Sequence, residues 1–216
     1  MINSLLLQLT DGVITRNEET LIAQVNISLE AGEVALLTGP NGSGKSTLLT
    51  ALAGEKFLSS GSLLFGETKR SQISLKEMSK KRSLMLQQDE AIDQLRASDV
   101  LELADIGATI PAHAKEFISK ISINELRDKT LGSLSIGQRT RVFLAAIGIQ
   151  NSEVILLDEP TAGLDWEAIS LLSHFLVEHT KAGGAVLIAT HENSLRSIAV
   201  KEFAISEKRL KVNKLS

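Results

Sequence analysis

Nine consecutive residues constrain this chain more than any other feature of it: Gly39-Pro40-Asn41-Gly42-Ser43-Gly44-Lys45-Ser46-Thr47. They fit the pattern G-x-x-x-x-G-K-[ST]. The apolar stretch Val34–Leu37 precedes them and a helical pattern, Ser46–Ala53, follows, which is the context a phosphate-binding loop requires. Gly42 and Gly44 permit backbone conformations and a close approach that a Cβ blocks. Successive N–H groups then turn inward on anionic oxygens, and the helix start adds positive potential there. Lys45 is expected to reach the β- and γ-phosphates of a bound nucleotide, Ser46 to hold Mg²⁺, and Thr47 to lie near the α-phosphate.

The surrounding pattern predicts an α/β fold. Residues 5–9 and 21–30 read as strands. Val25, Ile27 and Leu29 alternate with Asn26, Ser28 and Glu30, so the segment has one apolar and one wet face, as in an antiparallel sheet. Polar Asp11–Thr20 reads as their connector, with Gly12 as a turn. Val34–Leu37, Leu84–Leu86, Val154–Leu157 and Val186–Ala189 are apolar without alternation, the mark of strands buried on both faces. A turn and a helix-like segment follow each, which predicts a mostly parallel core sheet with helical crossovers. Helical patterns at 98–105, 112–121 and 136–150 predict a helical subdomain over about 89–140, inserted between core segments of about 1–88 and 141–216. A further helix is expected at 166–180, with Asp165 as its N-cap and Glu167 in the first turn. The tail, 202–212, supplies one or two short edge strands. Lys76, Lys80, Lys81 and Arg82 read as a solvated helix face, and His113, His174 and His179 as helix or surface positions without partners.

Composition narrows the function classes. A chain of 216 residues fits one domain with a small subdomain, and 43% hydrophobic residues supply a core. There is no cysteine, so disulfides, thiolate metal sites and cysteine nucleophiles are excluded. The net charge of −3 and an aromatic content of 3% argue against a nucleic-acid partner. The longest apolar runs are about five residues against roughly 20 for a spanning helix, so membrane attachment is expected only through another subunit. Met1-Ile2-Asn3-Ser4 does not read as a secretory signal, and no appended regulatory module is expected after about residue 212.

Val154-Ile155-Leu156-Leu157-Asp158-Glu159 ends a buried strand in two carboxylates. Ligands in such sheets sit at the carboxyl ends of strands. Asp158 is expected to hold Mg²⁺ and Glu159 to orient or deprotonate an attacking water. Four further elements follow one order: Gln87 after the Leu84–Leu86 strand, Leu134-Ser135-Ile136-Gly137-Gln138 before a helix, Ala162-Gly163-Leu164-Asp165, and His191 after Val186–Thr190.

With these motifs, from about residue 5 to 205, the chain resembles the nucleotide-binding domains of ATP-binding-cassette (ABC) proteins. The resemblance implies a P-loop NTPase that binds ATP and Mg²⁺ and hydrolyses ATP. It implies that Gln87 senses the metal and couples it to a partner, with Gln88 the rival by one position. It implies that Ser135, Gly137 and Gln138 bind the γ-phosphate of ATP held by a second, head-to-tail copy. Asp165 would signal across that dimer, and His191 would contact the γ-phosphate. It also implies a separate transmembrane permease and a location on the cytoplasmic face of the membrane. A soluble ABC ATPase of repair or translation type is the alternative. Two departures stand out. Ile136 replaces the usual first glycine of the signature, and a β-branched residue there is expected to be N1 of a helix rather than at positive φ. The window that usually supplies an aromatic ring under adenine reads Val13-Ile14-Thr15-Arg16, so Ile14 or the Arg16 guanidinium plane takes that role. Arg16, Ile136 and Ala182-Gly183-Gly184 also look like the ATPase of cytochrome-c-maturation haem exporters.

Overall fold

The computed structural model describes residues 4–87, 92–105, 107 and 109–215. Strands β1 (Leu5–Arg16), β2 (Glu19–Glu30), β4 (Leu58–Phe65) and β5 (Thr68–Lys69) form an antiparallel sheet in the order β2-β1-β4-β5. Strands β3 (Val34–Thr38), β6 (Arg82–Met85), β7 (Val154–Asp158), β8 (Ala185–Ala189), β9 (Lys201–Ser206) and β10 (Arg209–Lys214) form the second sheet. Its order is β10-β9-β3-β8-β7-β6, parallel except for the β9–β10 hairpin.

The non-alternating runs are explained by two cores. Along β3, Ala35 and Leu37 face one core while Val34 and Leu36 face the other. Along β7, Val154 and Leu156 part from Ile155 and Leu157 in the same way. The first core lies beneath the antiparallel sheet and α1 (Lys45–Leu52). The second lies beneath α4 (Ala112–Lys120), α5 (Ile136–Gln150) and α6 (Trp166–Lys181). Each buried leucine contributes about 1.5–3 kcal/mol, so both faces of the parallel sheet must be covered. Among the described residues between β6 and β7 the chain forms helices, turns and one isolated bridge, Arg96 to Thr130, but no strand. There α3 (Ala97–Ala104) packs on α5 through Ala97, Leu131 and Val142.

The expected connector 11–20 is a hairpin instead. β1 runs on to Arg16, and the turn is Asn17-Glu18, both in the left-handed region. That is the backbone a two-residue hairpin turn needs, and no glycine marks it. Gly12 sits inside β1 at a register shift, where Gly61 of β4 crosses so closely that a Cβ on Gly61 would meet Gly12 Cα. The strand β4 and the helix α2 (Leu75–Lys81) complete the first half of the chain. The basic run lies on α2 and the strand after it, where Lys81 pairs with Glu153 and Arg82 with Glu55. In the tail, β10 is the edge strand while β9 lies between β3 and β10.

Asp165 caps α6 as expected, accepting from Ala168 N–H at 2.8 Å. His179, on the same helix, is not a surface residue: it is 4% exposed, beside His113 and Phe175. Its Nε2 has no hydrogen-bond partner among the described residues, and Gly184 leaves room for the ring, since a Cβ there would overlap it. Burial, helped by the neighbouring His113, pushes the His179 imidazole down to about 4. The unfolded chain takes up this proton below about pH 6.5 while the folded chain does not, so stability is present above that pH and is lost as pH falls toward 4. We expect unfolding by denaturant to cost about 2 kcal/mol less at pH 5 than at pH 7.5 from this group alone. His179→Leu should remove that part of the pH dependence.

Candidate nucleotide site

The phosphate loop links β3 to α1 with three glycines at positive φ: Gly39 (155°), Gly42 (77°) and Gly44 (97°). Gly39 has a second constraint, because a Cβ there would strike Ser43 Oγ and the carbonyl of Ile205. The loop closes around Lys45, whose Nζ donates to the carbonyls of Gly39 (2.9 Å) and Pro40 (3.3 Å) and which is 8% exposed.

Parallel pairing brings the other strand ends to this loop. Asp158 pairs with Ala189 across β7 and β8, so Glu159 stands beside Thr190 and His191. Glu159 N–H donates to the Ala189 carbonyl at 2.8 Å. Its Oε1 lies 2.8 Å from His191 Nδ1. Gln87 follows β6, next in the sheet to β7. A cavity of about 490 Å³ gathers Asn41, Gly42, Gly44, Lys45, Ser46 and Thr47 with Gln87, Asp158, Glu159 and His191. Arg16 and Leu21 of the β1–β2 hairpin close one side. Of the two candidates for the base-facing position, Arg16 lines this cavity, while Ile14 is fully buried in the first core. Leu21 was not anticipated at the cavity, since it reads as an ordinary apolar residue at the start of a strand. Gln88 lies outside the described residues. A second cavity of about 490 Å³ opens beside Gly54 and Lys56, past the end of α1, and holds none of the motif residues.

Charge in the site is balanced locally. Burial raises the Asp158 carboxyl above its ordinary range, and repulsion from Glu159 adds to this. The Ser46 hydroxyl, Lys45 and the Gln87 backbone N–H act in the opposite direction. The His191 imidazole is raised by its hydrogen bond to Glu159 and by that residue's charge. Ser46 and Asp158 are hydrogen-bonded oxygen donors, a set that suits a hard cation such as Mg²⁺. Among the described residues no group of three or more His, Cys, Asp or Glu could hold a metal by itself. Mg²⁺ is characteristically held by one or two protein oxygens together with substrate phosphates and water, so these residues fit it.

Ser135, Gly137, Gln138 and Asp165 do not line this cavity. Ser135 is exposed and caps α5 in a capping box with Gln138, so Ile136 is indeed N1 of that helix. Gly137 is packed so tightly on Gly163 that a Cβ would overlap the Gly163 carbonyl. Thr140 Oγ1 shares its one hydrogen between the Ile136 carbonyl at 2.9 Å and the Ala162 carbonyl at 3.0 Å, and Arg141 pairs with Asp165. The first turns of α5 and the loop 162–165 therefore form one unit. Nothing in the spacing of the sequence announced it.

Comparison with known proteins agrees with this geometry. The family model described as ABC transporter matches residues 22–162. The chain is 35% identical over 189 residues to "ABC transporter I family member 1" of Arabidopsis thaliana, covering 82% of this chain and 77% of that protein. It is 35% identical over 191 residues to the cobalt import ATP-binding protein CbiO of Rhodobacter capsulatus, covering 84% and 68%. It is 32% identical over 188 residues to the cytochrome c biogenesis ATP-binding export protein CcmA of Gluconobacter oxydans, covering 86% and 81%. Among solved structures, a dimeric ATP-binding cassette in a post-hydrolysis state with ADP and Pi superposes with a TM-score of 0.80 at 23% identity, covering 97% of this chain and 99% of that one. The fold is thus that of the P-loop cassettes, and the chain belongs to the ABC transporter family as one of its ATP-binding ATPases.

Proposed function

We propose that this chain is the ATP-driven subunit of a transporter, acting as a head-to-tail pair on a separate membrane permease. The observation that carries the reading is the separation of two motif sets on one chain. Lys45, Asp158, Glu159 and His191 line the cavity, whereas Ser135 and Gly137 lie outside it. A second copy can bring its Ser135, Gly137 and Gln138 to the mouth of that cavity and complete the enclosure of the γ-phosphate. Asp165 then meets the partner chain.

Lys45 and the loop N–H groups bind the phosphates. Ser46 and Asp158 would hold Mg²⁺ with Gln87 beside them, and the bound cation would supply positive charge for the phosphate oxygens. Glu159 accepts the proton of the attacking water, while His191 orients Glu159 and contacts the γ-phosphate. The Arg16 guanidinium and Leu21 face the base. Moving a pair from 1% to 99% closed takes about 5.5 kcal/mol, or about 2.7 kcal/mol per site. One or two hydrogen bonds to a charged phosphate, at about 1.5–3 kcal/mol each, are sufficient. Hydrolysis removes those bonds and opens the pair.

No helix among the described residues is long and apolar enough to cross a membrane. The permease is proposed as a separate chain, with this one on its cytoplasmic face. We assign the helical subdomain, about 89–140, as the side that meets the permease, and about 1–88 with 141–216 as the catalytic core. Relatives named for cobalt import, hemin import and cytochrome c biogenesis export match at 35%, 29% and 32% identity. These values lie close together, so similarity does not select the cargo.

Glu159→Gln is expected to lower turnover by about 100-fold or more while ATP binding is retained. With Mg-ATP this variant should run as a dimer in size exclusion, and chelating the metal should return it to a monomer. Trp166, 78% exposed beside Asp165, should change its fluorescence when that dimer forms. A monomer at saturating Mg-ATP with unchanged emission contradicts the arrangement.

A further inference from the structure

Glu159 holds an unusual place. It is a non-glycine residue at φ 47°, a conformation that persists only where the surroundings hold it. Two side chains grip its carboxylate. His191 Nδ1 lies against Oε1, and Thr190 Oγ1 donates to Oε2 at 3.1 Å. The two grips differ in kind. The His191 side chain is 65% exposed and faces the cavity. Thr190 is 3% exposed, at the end of β8. His191 is thus shared between Glu159 and the open cavity, whereas the buried Thr190 hydroxyl is held within the protein.

The direction of the Thr190 bond is also set. Glu192 N–H donates to Thr190 Oγ1 at 3.0 Å, which commits an acceptor site of that oxygen. The single hydroxyl hydrogen is then left for Glu159. Glu192 Oε2 in turn accepts from Thr161 Oγ1 at 2.9 Å, and Thr161 is itself 5% exposed. Thr161 lies on the segment that leads from Glu159 to Asp165, and its carbonyl accepts Leu164 N–H at 3.0 Å. Glu159, Thr190, Glu192 and Thr161 therefore close a ring across the ends of β7 and β8.

We propose that Thr190 is the positioning residue of the water-activating carboxylate, and that Glu192 and Thr161 hold Thr190 in register with the Asp165 loop. The inference rests on the reading of Glu159 as general base. Its test is steady-state ATP hydrolysis by the full chain, at protein concentrations where the pair forms, for wild type, Thr190→Val, Thr190→Ser and Glu159→Gln. Thr190→Val keeps the volume and removes the hydroxyl. It should lower kcat about tenfold with KM for ATP unchanged within about twofold, the size of one lost hydrogen bond to a charged group. Thr190→Ser should recover most of kcat. If Thr190→Val does not fold, Thr190→Ala carries the same expectation. Wild-type kcat in the hydroxyl-free variant while Glu159→Gln is inactive overturns the role of Thr190 and leaves Glu159 as the base. Equal losses in the Val and Ser variants, or a raised KM at unchanged kcat, overturn it as well. Wild-type turnover in Glu159→Gln overturns instead the reading of Glu159.

Discussion

The parallel pairing of β3, β8, β7 and β6 is the constraint on which the rest of the structure depends. Parallel strands deliver their carboxyl ends to one edge, so Gly42, His191, Glu159 and Gln87, far apart in sequence, converge on one cavity. The register is specific. Asp158 opposite Ala189 brings Glu159 within reach of both Thr190 and His191. A one-residue slip would exchange apolar side chains between the two cores, and it would also take Glu159 out of reach of Thr190 and His191.

The cavity mixes opposite demands. On the proposed reading, Lys45 and the loop N–H groups meet the phosphates, whereas Asp158 and the Ser46 oxygen meet a hard cation. The fold meets both by segregation. The loop and the α1 N-terminus supply the positive side, and the ends of β7 supply the carboxylates. Burial makes Asp158 harder to ionise, and Lys45, Ser46 and the Gln87 N–H oppose that tendency.

Much of this was legible in the sequence because the signals were local. A glycine-rich loop must bend where it does, a double-faced strand must read as a continuous apolar run, and Ser135 or Asp165 before a helix must cap it. What was not legible depended on contacts between distant segments. Leu58–Phe65 has too many serines to declare a strand, and it forms one by pairing with β1. The Asn17-Glu18 turn hid behind polar residues that continue the strands. His179 read as a helix or surface position without partners; it lies on a helix, and Phe175, His113 and Gly184 close around it. Thr190, Glu192 and Thr161 are ordinary residues in sequence, and only the pairing of β7 with β8 makes a ring of them.

The absence of space between Gly137 and Gly163 has a mechanical meaning. Two backbones in direct contact, with Thr140 bonded to Ala162 and Arg141 paired with Asp165, leave no soft layer to absorb displacement. A tilt of α5 cannot leave the 162–165 loop behind, so any lever that grips the helical side of the molecule also shifts the segment running back to Glu159.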